Sequence, residues 1–208
     1  MTCEVKAAKI SGGPARRRTA TYDRRVAGGR PATPPARRRD AARWQVADAH
    51  ERFLAEPGRP VGDGVRPVVA ESWARSLLAG VDPEASGAPL DLTPDELDAY
   101  RAGHPLAAAM PLVRHLLTQD AEEAAHIVAI GDAHGRLLWV EGHRRLCERA
   151  EDMHFVEGAL WSEGGAGTNA PGTALALAAP VQIVAEEHFG VRAAVELRRV
   201  ADPRPAHG

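Results

Sequence analysis

The sequence predicts an α+β domain in which an antiparallel sheet is flanked by helices and preceded by an N-terminal helical segment. Apolar residues recur at helical spacing between residues 43 and 120. Two short apolar runs separated by turn-forming residues follow, and a third short run comes after further helical sequence. This order of elements is typical of an α+β fold with a mainly antiparallel sheet.

A basic segment of low complexity precedes the predicted fold. Residues 1–43 hold 12 Lys or Arg and 3 Asp or Glu, a net charge of +9, whereas the whole chain carries −2. Because the segment has few large apolar residues, we predict that residues 1–42 are disordered. Arginine clusters neutralise phosphates without reading bases, so a nonspecific nucleic-acid-binding arm and an inert tail stay open. We expect no sequence-specific nucleic-acid binding.

Local signals indicate helices in the first half of the chain. Val69, Trp73 and Leu77 recur at i, i+4 and i+8, which places them on one helical face. Thr93 and Glu96 have the spacing of a capping box, which predicts a helix that begins there. Similar periodicity predicts helices over RWQVADAHERFLA and HPLAAAMPLVRHLLTQDAEEA.

The second half of the chain contains the strand candidates. Ile127–Ile130 and Leu137–Val140 are short apolar runs joined by DAHG, in which Asp132 and Gly135 favour a turn. This pattern predicts a β-hairpin. Val181–Val184 is a third strand candidate.

The stretch WSEGGAGTNAPGT looks like a phosphate loop but lacks a necessary residue. Gly167 and Gly172 have the G-x-x-x-x-G spacing, yet Thr173 follows directly, without the lysine that balances phosphate charge. The dinucleotide-binding pattern G-x-G-x-x-G also fails, since Ala170 stands at its last position. We therefore predict a tight turn and a short helix from about Asn169 to Leu177 that wall a pocket.

Signals for catalysis and metal binding are weak. His143 and Cys147 are four residues apart, but a zinc site needs three or four ligands. No Ser or Cys nucleophile lies in a recognisable elbow. We therefore predict a non-enzyme without a metal or cofactor. The chain shows no signal peptide and no apolar run near the ~18 residues of a membrane span, so we expect a cytoplasmic protein without membrane contact.

Several segments together resemble a known family. VRPVVAESWARSLLAGVDPE, HIVAIGDAHGRLLWVEGHRRL and FVEGALWSEGGAGTNAPGTALAL, followed by PVQIVAEEHF, are similar to the GAF-type sensory domain of bacterial transcription regulators. These are the actinobacterial relatives of the activators of acetoin and glycerol catabolism, and the match covers roughly residues 43–189. The resemblance implies a GAF-like sheet with a small-molecule pocket between sheet and helices, usually followed by a DNA-binding helix-turn-helix.

The resemblance ends after Phe189. GVRAAVELRRVADPRPAHG stands where the family continues with two further strands, and a frameshift in the gene would explain the divergence. We therefore expect a C-terminally truncated module with an incomplete sheet and without its DNA-binding output domain. The expected organisation is a tail over 1–42, a helical region over 43–120, a partial sensor domain over 121–189 and a divergent tail over 190–208.

The resemblance and the glycine-rich stretch together suggest where an unidentified small-molecule effector binds. Aromatic and polar groups that converge on one turn and helix are typical of ligand sites. The candidate ligand-binding residues are Trp161, Glu163, Thr168, Asn169, Thr173 and His188. A stand-alone interaction module, with homodimerisation through the N-terminal helices, is the alternative. A GAF-fold reductase is disfavoured because Cys147 is the only cysteine of the predicted domain.

Overall fold

The computed structural model describes residues 36–117 and 126–191, with side chains from Ala41 onward in the first range. This part of the chain consists of helices and one antiparallel hairpin, which confirms the predicted α+β class. No helix within it is long and apolar enough to cross a membrane. The elements are α1 (Ala36–Ala55), α2 (Pro67–Leu78), α3 (Pro94–Gly103), a 3-10 turn (Pro105–Ala109), α4 (Met110–Leu117), β1 (Ile127–Gly131), β2 (Leu137–Gly142), α5 (Arg144–Glu151), α6 (Glu163–Ala166), α7 (Ala170–Leu177) and a second 3-10 turn (Ala185–Glu187).

Helix α1 begins at Ala36, inside the segment 1–42 that was predicted to be disordered. The prediction was wrong for the last residues of that segment. ARRRDAA consists mainly of Ala and Arg, which are strong helix formers. Each residue added to an existing helix gains a backbone hydrogen bond, so the amphipathic part of α1 extends readily into this sequence. Residues 1–35 lie outside the described ranges.

Helix α3 begins as its capping signal predicted. Glu96 N donates a 3.4 Å hydrogen bond to the Thr93 hydroxyl, and Thr93 N donates one of 2.8 Å to the Glu96 carboxylate. Pro94 occupies the first turn, where its missing N–H costs nothing.

The predicted hairpin is present, and both of its faces are covered. Val128 pairs with Glu141 and Ile130 with Trp139 in an antiparallel register, with an irregularity after Ile130. Side chains alternate across a strand, so successive β1 residues enter different clusters. Ile127, Ala129 and Leu137 join Phe155 and Trp161 on one face. Val128, Ile130 and Leu138 join Leu97, Leu106 and Met110 on the other.

The third predicted strand, Val181–Val184, does not form in the structure. Backbone groups of Gln182 and Val184 bond instead to side chains and to the 3-10 turn that follows. Val184 N donates to Glu187 Oε2 at 2.8 Å, Glu187 N donates to Val184 O at 2.7 Å, and the Arg66 guanidinium donates to Gln182 O. Within the described residues the sheet has two strands, which confirms the expectation of an incomplete sheet.

A third group of buried apolar residues packs α1 and α2 against the segment 170–189. We call it the α1–α2 cluster. Its members are Ala49, Phe53, Val65, Val69, Trp73, Ala170, Ile183 and Phe189.

Candidate functional site

A buried group of hydroxyl and carboxylate side chains joins α2 to the glycine-rich stretch. Ser72 Oγ lies 2.5 Å from Glu163 Oε1, 2.8 Å from Thr168 Oγ1 and 3.1 Å from Thr173 Oγ1. Ser76 Oγ donates to Ser72 O at 2.8 Å and lies 3.3 Å from Thr168 Oγ1. All five side chains are buried. We call this group, together with Arg75, the serine–threonine network.

Arg75 supplies the positive charge that the buried Glu163 needs. Arg75 Nε donates to Glu163 Oε2 at 2.6 Å, and Nη2 donates to Oε1 at 2.9 Å. Burial raises the pKa of Glu163, but hydrogen bonds from Arg75, Ser72 and Thr173 outweigh burial and hold that pKa below its ordinary value. The carboxylate is therefore charged at neutral pH. Its position at the first residue of α6 follows from Ser162, whose hydroxyl accepts a hydrogen bond from Gly165 N at 3.2 Å.

The glycines of WSEGGAGTNAPGT allow close backbone approach. Gly167 has φ +71°, and a Cβ there would lie 2.6 Å from the Cβ of Phe189. A Cβ on Gly172 would lie 2.6 Å from Trp161 O. Asn169 caps α7, since its Oδ1 accepts from Gly172 N at 2.7 Å and its Nδ2 donates to Gly167 O at 2.7 Å. The predicted tight turn and short helix are therefore present, and the turn packs against the protein's own chain.

All six residues predicted to bind a ligand are buried, but they do not share one set of contacts. Glu163, Thr168 and Thr173 come together in the serine–threonine network, and Asn169 follows Thr168 as the cap of α7. The other two have separate partners. Trp161 Nε1 donates to His154 O at 3.0 Å and its ring packs edge-on against Phe155, whereas His188 Nδ1 lies 3.0 Å from Ala185 O.

Sequence reasoning missed the half of this network that α2 contributes. Ser72, Arg75 and Ser76 lie 88 to 101 positions from their partners in the chain. One signal was present in the sequence: Ser72 and Ser76 have i, i+4 spacing next to Trp73. Two small hydroxyl side chains beside the apolar face of a helix indicate a buried polar contact.

A second contact holds the beginning of α2 against the 3-10 turn Ala185–Glu187. Arg66 Nε donates to Glu187 Oε1 at 2.7 Å and Nη2 to Oε2 at 2.6 Å. Trp73 Nε1 donates to Glu187 O at 2.8 Å. Helix α2 is thus bound at two places to segments far along the chain.

The described residues contain no group of three or more His, Cys, Asp or Glu that could hold a metal ion. Burial raises the pKa of the Cys147 thiol, and the nearby Glu151 and Glu148 raise it further. The thiol is therefore protonated at neutral pH and a poor nucleophile.

Comparison with known proteins finds bacterial relatives. The chain is 50% identical over 151 residues to an uncharacterized 47.3 kDa protein of the thcA 5' region of Rhodococcus erythropolis, covering 70% of this chain and 34% of that protein. It is 38% identical over 141 residues to the acetoin dehydrogenase operon transcriptional activator AcoR of Bacillus subtilis, covering 64% and 23%. It is 33% identical over 143 residues to the propane 2-monooxygenase operon transcriptional activator MimR of Mycolicibacterium goodii, covering 68% and 23%.

The chain therefore spans about a third of the first of these relatives and about a quarter of the two activators. No protein-family model matches it, and no solved structure matches it. The named relatives are transcriptional activators. The chain is thus related in sequence to bacterial transcriptional activators of operons.

Proposed function

We propose that this chain is the small-molecule-sensing module, of GAF type, of a transcription regulator. The observation that carries the proposal is the share of each protein that the sequence match covers. About two thirds of this chain match AcoR and MimR, but the match accounts for only 23% of each activator. Such a fraction suits one module of a regulator whose other segments perform DNA binding and activation.

The serine–threonine network supports a recognition role for the glycine-rich stretch. Burying a charged carboxylate and several hydroxyls costs free energy, and an apolar core would avoid that cost. Polar groups that converge in an otherwise apolar interior are typical of small-molecule sites. In this proposal an effector binds beside Glu163, Thr168 and Thr173, with Trp161, Asn169 and His188 forming the surrounding walls, and exchanges hydrogen bonds with the network.

Thermal unfolding in the presence of candidate effectors tests the proposal. Acetoin and other small ketones, alcohols and diols form a suitable first panel, because one relative activates an acetoin dehydrogenase operon. An effector at 100 times its Kd stabilises a protein by ~2.7 kcal/mol, which shifts Tm measurably. The Thr168→Val variant should lose the shift, and the Ser86→Ala variant, changed at an exposed serine, should keep it. A shift that survives Thr168→Val would place the effector elsewhere.

Self-association is a second candidate function, favoured by exposed apolar side chains on the helical part of the chain. Leu112 and Leu116 lie one turn apart on α4 and are 60% and 66% exposed, and Leu78 at the end of α2 is 87% exposed. Apolar exposure of this kind often marks a protein contact. Sedimentation of the Leu112→Lys, Leu116→Lys double variant beside the unchanged chain tests this function: a monomer in both cases excludes it.

A further inference from the structure

Helix α1 packs against the other elements through few buried side chains. Between Ala41 and Ala55 the buried ones are Ala49, His50 and Phe53. They pack into the α1–α2 cluster beside Trp73 and near the 3-10 turn Ala185–Glu187. One of the three, His50, is ionisable, which is unusual for a side chain buried in an apolar cluster.

The His50 imidazole is enclosed by aromatic rings. Its centroid lies 4.7 Å from that of Trp73 and 5.9 Å from that of Phe189. Its Nε2 is buried and has no hydrogen-bond partner in the described part of the chain. A buried polar atom without a partner lowers the stability of the contact that buries it.

The acidic side chains of the 3-10 turn that faces this contact are paired with arginines. On the turn side, Glu186 lies 3.6 Å from Arg43 of α1, and the Glu187 carboxylate is held by Arg66 before α2. The neighbouring His188 is also buried and is itself ionisable. The remaining charged side chains of α1 in this stretch are exposed: Asp48, Glu51 and Arg52.

Helix α2 is held very differently. Ser72 and Arg75 bind Glu163, and Trp73 donates to Glu187 O. Removing α2 would leave several buried polar groups without partners, whereas removing α1 breaks the Arg43–Glu186 pair and relieves the unpaired His50 Nε2. Local unfolding starts where the cost of opening is lowest.

We propose that α1 is a detachable helix whose contact with Trp73 and Phe189 is broken by protonation of His50, while α2 and the rest of the fold stay in place. The proposal does not depend on small-molecule sensing. Burial lowers the pKa of His50 from 6.5 to about 4 in the docked helix. In the released helix the imidazole regains its ordinary pKa, so acid favours release. From pH 7 to pH 5 the ratio of docked to released α1 falls roughly 20-fold.

Hydrogen–deuterium exchange on the full chain tests this device. Protection factors are measured for the amides of α1 and α2 together, once at pH 7 and once at pH 5. A protection factor already corrects for the intrinsic pH dependence of exchange. We expect α1 protection to lie below that of α2 at both pH values and to fall roughly 20-fold from pH 7 to pH 5. Equal protection of α1 and α2 at pH 5 would overturn the proposal, because the two helices would then open only together in global unfolding.

Variants assign the effect to His50. The His50→Phe variant should keep α1 protected at pH 5, and His50→Gln serves the same purpose if the larger ring prevents folding. The control His115→Phe removes an exposed histidine on α4 and should respond like the unchanged chain. Because His188 is present in all three variants, its own protonation cannot account for a difference among them. A loss of α1 protection that persists in both His50 variants would also overturn the proposal.

Discussion

Ser72 Oγ lies 2.5 Å from Glu163 Oε1 although the two residues are 91 positions apart in the chain. The contact joins α2 to the first residue of α6, next to the glycine-rich turn. A buried hydrogen bond to a carboxylate is strong because the acceptor carries charge. The geometry of the glycine-rich stretch therefore depends on the position of α2.

Replacing Glu163 by Gln should destabilise the fold. The variant loses the charge that binds Arg75 through two hydrogen bonds and weakens the contact with Ser72. We expect a loss of ~2 kcal/mol in the free energy of unfolding, since the Arg75 side chain is 38% exposed and solvent screens part of the attraction. Urea unfolding measures the difference.

The matched control for that change is Glu148→Gln. Glu148 pairs with Arg144 at 3.2 Å, but both side chains are largely exposed. Its loss should change the free energy of unfolding by less than ~0.5 kcal/mol. Equal effects of the two substitutions would show that the Glu163 contact contributes no more than a surface ion pair.

Ser72 and Thr168 should be energetically coupled. Ser72→Ala and Thr168→Val each leave buried polar partners unsatisfied, at a cost of ~1–3 kcal/mol. The double variant removes both ends of their 2.8 Å contact, so its loss should be smaller than the sum of the single losses. A double-mutant cycle in urea gives the coupling energy, and strict additivity would argue against a shared network.

Gly167→Ala should be much more harmful than Gly164→Ala. At Gly167 the backbone has φ +71°, and an added Cβ would overlap Phe189. We expect a loss of ~3 kcal/mol from strain and overlap. Gly164 lies in α6 with nothing within 4 Å of an added Cβ, so alanine there should stabilise the protein by ~0.5–1 kcal/mol. Thermal unfolding of the pair distinguishes these outcomes, and similar Tm values would contradict the close approach to Phe189.

The protein should lose stability as the pH falls from about 6.5 towards 4. Burial lowers the pKa values of His50 and His188 from 6.5 to about 4, so the folded state binds these two protons less readily than the unfolded state. The stability that the two neutral imidazoles contribute is fully present above pH 6.5. It is lost as the pH falls, because the unfolded chain then takes up protons. At pH 5 each histidine should cost ~2 kcal/mol relative to pH 7.

Urea midpoints at pH 7 and pH 5 measure this acid effect. The pKa of Glu163 lies below its ordinary value, so protonation of that carboxylate becomes important only at lower pH. Unchanged midpoints between pH 7 and pH 5 would show that the two imidazoles are solvated in the folded protein.

Local signals in the sequence were sufficient for several elements. The capping box at Thr93 and Glu96, the hairpin around Asp132 and Gly135, and the turn before α7 all depend on residues a few positions apart. Periodicity and turn chemistry act over that range, so these elements could be predicted without knowledge of the fold.

Contacts between distant segments required the tertiary structure. Nothing in the sequence pairs Ser72 and Arg75 with Glu163, or Arg66 with Glu187, because charge and hydrogen-bonding capacity do not specify a partner until the chain brings two segments together. The same limit explains the segment Val181–Val184. Its apolar alternation suits a strand, but a strand forms only beside another, and here its backbone groups bond to Arg66 and Glu187 instead.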